Sequence, residues 1–138
     1  MRKLFCVLCL TLSLSGPVWA SDANGVVANV LSKSTSSWDG STLPDYAHGK
    51  SEITILRIKV QPGAVLPMHK HLVINAGVLL SGELTVITEA GGTLHLKEGE
   101  AIVEVVDKWH YGKNEGSLPA EIIVFYAGAV GTPITVSP

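Results

Sequence analysis

From residue 52 onward the chain is almost entirely short β-branched runs cut by glycine turns, and no other feature restricts the fold as much. Residues 53–60 (ITILRIKV) end at Gln61-Pro62-Gly63, a turn signal. Residues 72–80 are apolar and close at Ser81-Gly82, and residues 83–88 alternate in polarity and stop at Ala90-Gly91-Gly92. Residues 93–97 stop at Glu98-Gly99-Glu100, 101–106 and 120–127 follow, and 133–136 read as an edge. That makes seven runs or more with no helical period between them, which predicts an all-β sandwich or barrel over βαβ units. Upstream, residues 26–32 fit a brief helix or an N-terminal strand. Residues 34–43 are rich in Ser, Thr, Gly and Asp and read as a loop with Trp38 as a packing anchor. No internal repeat, low-complexity tract or second-domain linker is visible, so the 138 residues predict one domain.

The N-terminus reads differently. Met1-Arg2-Lys3 is a short basic start, and residues 4–14 are apolar but for Thr11 and Ser13. Gly16-Pro17 breaks any helix, and Val18-Trp19-Ala20 offers small residues where a signal peptidase reads. This predicts a secretory signal over 1–20, cleaved after Ala20, and a secreted chain resident in the bacterial periplasm. The apolar run is far shorter than the roughly 20 residues that span a bilayer, so no membrane partner is expected after cleavage. Both cysteines, Cys6 and Cys9, fall in this leader, which leaves the mature chain without a disulfide, a thiolate ligand or a cysteine nucleophile. Without Arg2 and Lys3, 8 basic residues face 12 acidic ones, a formal charge of −4 with no basic patch. That argues against nucleic acid as a partner.

The chemistry centres on Met68-His69-Lys70-His71. Residues two apart on a strand point to one face. At a rise of about 3.3 Å per residue, two such imidazoles sit near enough to share one ion. Asn75 would face the same way on a regular strand, and His110, in Asp107-Lys108-Trp109-His110-Tyr111-Gly112, is the candidate from a second strand.

The spacing around these residues resembles a known pattern. Gly63, five residues, His69-Lys70-His71, three residues, Asn75, six residues and Gly82 are similar to the first cupin motif. Gly99, five residues, Val105-Val106-Asp107, two residues, His110, three residues and Asn114 are similar to the second. The resemblance implies a single cupin-type, jelly-roll β-barrel over residues 21–138, with core motifs at 63–82 and 99–114. It also implies one divalent transition metal (Zn, Fe, Cu, Ni or Mn) at His69, His71, Asn75 and His110. Three positions depart from the pattern. The family's glutamate ligand is Asn75, and its second-motif proline and glycine are Val105 and Asp107. Three neutral imidazoles without that glutamate leave the ion its full 2+ charge, making it a stronger Lewis acid. Asn75 then either ligates weakly or hydrogen-bonds a metal-bound water, with the second role favoured.

The functions this allows are an exported small-molecule metalloenzyme of dioxygenase, isomerase or lyase type and a non-catalytic periplasmic binder of a metal or small ligand. An interaction module with vestigial histidines is a third. Cupins of this size imply a homodimer, which would also protect edge strands. No general acid or base is evident beside the ligands. Glu104 is a candidate base whose direction a strand running into a bend leaves open. His48 and His95 fit no motif and read as surface or packing residues. Lys70 reads as solvated, and Trp109 and Tyr111 as packing or interface residues. Leu84, Phe125 and Tyr126 read as core residues that could line a pocket.

Overall fold

The computed structural model describes residues 20–21 and 25–138, so the leader expected over 1–20 lies outside the described residues apart from Ala20. Contacts divide the chain into two compact units, Met1–Val30 and Leu31–Pro138. The first contains a minimal antiparallel pair, β1 (Ala20–Ser21) with β2 (Val27–Ala28), so the ambiguous stretch 26–32 holds a two-residue strand and no helix.

The second unit contains β3 (Ser51–Val60), β4 (Ile74–Ser81), β5 (Glu83–Thr88), β6 (Thr93–Lys97), β7 (Ala101–Val103), β8 (His110–Lys113) and β9 (Ala120–Ala129). They form a four-stranded sheet, β3-β9-β4-β7, and a three-stranded sheet, β6-β5-β8, with every pairing antiparallel. The fold is all-β, as the strand-and-turn text predicts, and a jelly roll, as the resemblance implies. Among the described residues no helix is long and apolar enough to cross a membrane.

Alternation puts the core between the sheets. Along β9, Ala120, Ile122, Val124 and Tyr126 are buried while Phe125 is 49% exposed. Val60, Leu79 and Ile102 meet them from the same sheet, and Leu84, Val86 and Leu96 close the core from the other. Each such side chain contributes about 1.5–3 kcal/mol by leaving water. Gly82 makes the turn from β4 to β5 at φ 75°. Its hydrogen faces Pro119, whose carbonyl oxygen would lie 2.6 Å from any Cβ, so only glycine fits.

Three elements differ from their sequence-based bounds. The run 72–80 becomes a strand only at Ile74, because Leu72 and Val73 form a bend. The run 101–106 ends at Val103, which releases Glu104 from the ladder. Residues 133–136 make one bridge, Val136 with Lys70, and no strand. β8 was hidden in the sequence because a tryptophan, a tyrosine and a glycine around His110 show no apolar alternation.

Candidate metal centre

His69 and His71 lie on an irregular extended segment between β3 and β4 and not on a regular strand. Their common direction survives because bridges hold the segment on both sides. His69 exchanges both backbone hydrogen bonds with His110, each 2.9 Å, and Lys70 exchanges two with Val136, 3.0 and 2.9 Å. The two-residue period therefore sends His69 and His71 inward. Lys70 points outward, but it is not merely solvated: its Nζ pairs with Asp107 at 2.6 Å and sits 5.1 Å over the Trp109 ring. That gives Trp109 an intramolecular partner.

The second motif reaches the same place through its bend. Asp107, where the pattern has glycine, adopts φ 54°, and its N–H donates to the His71 carbonyl at 2.7 Å. Aspartate tolerates this left-handed conformation better than most residues. The turn survives the substitution and delivers His110 to the start of β8. Asn114, the motif's last residue, is buried and structural. Its amide donates to the carbonyls of Val60 and Leu118 and its oxygen accepts from Gly116 N–H.

The three imidazoles form one cluster. Ring centroids are 4.4 Å apart for His69 and His110, 4.9 Å for His71 and His110 and 5.0 Å for His69 and His71. One nitrogen from each ring lies within 4.8 Å of the other two. Each Nδ1 donates to a backbone carbonyl: His69 to Pro67 at 2.8 Å, His71 to Ile134 at 2.9 Å, His110 to Lys108 at 2.9 Å. A carbonyl can only accept, so every proton is fixed on Nδ1 and every Nε2 keeps its lone pair. Burial holds all three rings below the ordinary histidine pKa, His71 at about 4, so they are neutral at pH 7. His110 Nε2 is buried with no hydrogen-bond partner. An orphaned buried acceptor, two more lone pairs beside it and outer carbonyls fixing each tautomer are what a metal ion requires of its ligands, and the residues fit one.

Asn75, 2% exposed, lines the same cavity, and its amide donates to the Val73 carbonyl at 3.3 Å. The cavity measures about 70 Å³ and its remaining walls are largely apolar, among them Leu66, Leu84, Val86, Val124 and Tyr126. Leu84 and Tyr126 thus line a pocket as allowed, while Phe125 points away from it. Burial first, and then the charge of Glu104, push the Tyr126 hydroxyl up to about 12, so it stays protonated. His69 is the least buried of the three histidines and marks the side open to solvent. His48 and His95 are exposed and outside the cluster.

A model of the family described as a cupin domain matches residues 56–126, just over half of the chain. This chain belongs to the cupin family. No curated protein matches the cupin at a significant level. Solved structures match by fold. A DMSP lyase, DddQ from Ruegeria pomeroyi DSS-3, aligns at a TM-score of 0.54 and 19% identity, over 62% of this chain and 42% of its own. An oxalate oxidase in complex with the substrate analogue glycolate aligns at 0.52 and 23%, over 61% and 45%. A cupin domain from Bordetella pertussis Tohama I aligns at 0.50 and 19%, over 56% and 82%. The matched part of this cupin spans less than half the length of the lyase and the oxidase.

The cupin also contains an acidic group that the sequence left undirected. Glu104 is 8% exposed and points into the cavity, so an ionisable carboxyl does stand beside the ligands, contrary to expectation. Its Oε1 accepts from Trp38 Nε1 at 2.8 Å and from Val105 N–H at 2.9 Å, and its Oε2 lies 3.9 Å from His110 Nε2. Burial raises its pKa against those two hydrogen bonds. The signal available in the sequence was a lone charge inside the apolar run 101–106.

Proposed function

We propose that this cupin is exported, holds one divalent transition-metal ion with His69, His71 and His110, and acts with it on a small molecule in the periplasm. The observation that carries the reading is the convergence of three imidazoles in one largely apolar cavity, each with Nδ1 held by a carbonyl and Nε2 left to bind. A bound ion supplies Lewis acidity and an open coordination position. The chain's own groups do the rest. Neutral rings stay available as ligands, Asn75 offers a hydrogen bond to a water or substrate oxygen, and the apolar walls limit access of bulk water. Dioxygenase, isomerase and lyase chemistry all fit this set, and the lyase and oxidase among the solved structures support small-molecule chemistry on this fold. The cavity of about 70 Å³ favours a substrate of few heavy atoms. A homodimer is part of the proposal, supported by the exposed Ile53 and Ile55 on the edge strand β3.

The small cavity also favours a second reading, a non-catalytic carrier of the ion or of a small ligand. Elemental analysis of the mature protein beside a His69→Ala/His71→Ala/His110→Ala variant tests the metal site. About one equivalent of a single metal, lost in the variant, is the expected result. Two empty proteins that also fail to take up added metal would remove the proposal. Iron or copper directs the next step to oxygen-uptake assays, zinc to hydrolysis and isomerisation. Loaded protein without turnover in either leaves the carrier.

A further inference from the structure

We infer that Glu104 is the fourth ligand of the site: its Oε2 binds the same ion as the three histidines while its Oε1 stays with Trp38 and Val105. The inference rests on the proposed metal site and deepens it.

Two lone pairs face each other across a short gap. His110 Nδ1 carries the ring proton, donated to the Lys108 carbonyl, so Nε2 is an acceptor with nothing to accept from. Opposite stands Glu104 Oε2 at 3.9 Å, beyond hydrogen-bond reach. Two buried acceptors in this arrangement repel unless a proton or a cation lies between them, and 3.9 Å is too long for a proton to be shared. Two metal–ligand bonds of about 2.1 Å each span such a separation.

The carboxylate is also aimed. Trp38 Nε1 and Val105 N–H hold Oε1, and that leaves Oε2 as the atom presented to the cavity. A buried carboxylate is costly without a counter-charge. Among the described residues its only ion-pairing neighbour is His110, whose ring proton sits on Nδ1, held by the Lys108 carbonyl on the far side of the ring. A divalent cation supplies the missing charge.

Backbone register explains why the group comes from this position. The Glu104 N–H donates to the Asn75 carbonyl at 3.1 Å, just past the β4–β7 ladder in which Ala76 pairs with Val103. Residues 75 and 104 are thus neighbours across adjacent strands. The carboxylate absent from residue 75 is present one strand away, and with it the site carries a single net positive charge when a divalent ion is bound.

The test compares Zn²⁺ affinity and the Co²⁺ d–d spectrum of the mature wild-type chain with those of Glu104→Gln, which keeps the acceptor for Trp38 and Val105 but removes the charge. The expected result is a loss of affinity of at least about ten-fold with a changed Co²⁺ spectrum. Adding Asn75→Glu to that variant should recover most of the affinity. Unchanged affinity and spectrum in Glu104→Gln would overturn the inference, leaving Glu104 as the holder of a bridging water, while the histidine site would stand. Wild-type protein that takes up no metal would overturn both. Melting curves in chelator check folding. Should Glu104→Gln not fold, Glu104→Asp, which keeps the charge but withdraws the oxygens by one methylene, must show the same loss and spectral change, and wild-type values there would equally overturn the inference.

Discussion

The interior of this barrel has two ends made from the same sheets. At one end Leu79, Leu96 and Ala120 are buried, and the buried Asn114 side chain, bonded to the Val60 and Leu118 carbonyls and to Gly116 N–H, has its hydrogen bonds made. At the other, three imidazoles, an amide and a carboxylate share the cavity, and a buried nitrogen has no partner. The first end gains its stability by excluding water. The second gives up stability, since a desolvated acceptor left unpaired costs about 1–3 kcal/mol. The difference teaches that the site is arranged for something outside the chain, while the core is complete without it.

The comparison can be broken most decisively at the polar end. The His69→Ala/His71→Ala/His110→Ala variant should lose metal binding altogether, read by calorimetric titration, yet melt in chelator close to the wild type. A large fall in melting temperature would mean that the cluster is itself core. At the apolar end Leu79→Ala should cost about 2–5 kcal/mol by urea unfolding while the folded variant still takes up one equivalent of metal. Metal itself should mend the imbalance: at a hundred-fold excess over Kd it should stabilise the wild type by about 2.7 kcal/mol, and the triple variant not at all. Asn114→Ala, which strands two carbonyls and an N–H, should cost about 1–3 kcal/mol without changing metal affinity. Lys70→Ala removes an ion pair at the rim and should shift stability by no more than about 1 kcal/mol.

Spacing revealed more than alternation did. The glycines, the paired histidines and His110 carry a one-dimensional pattern that a turn-and-strand chain cannot alter without moving the three rings, and so the cluster is legible. What escaped depended on which face of a strand turns inward. Glu104 shares its face with the buried Ile102, and nothing in Ala101 to Val106 marks that face as the one lining the cavity. Phe125 and Tyr126 are equally apolar, and period two says that one faces in without saying which. Alternation gives the direction of Lys70 but not its partners, since Asp107 and Trp109 come from a bend distant in sequence.

The reciprocal backbone bonds between His69 and His110 join the segment bearing one ring to β8, which bears the other, so opening that seam carries the two rings apart. Seam opening disperses the cluster, and the His69 and His110 amides are its clock. Their hydrogen-exchange lifetimes should lengthen with occupancy of the rings, residue by residue, before any change appears at amides of the apolar end.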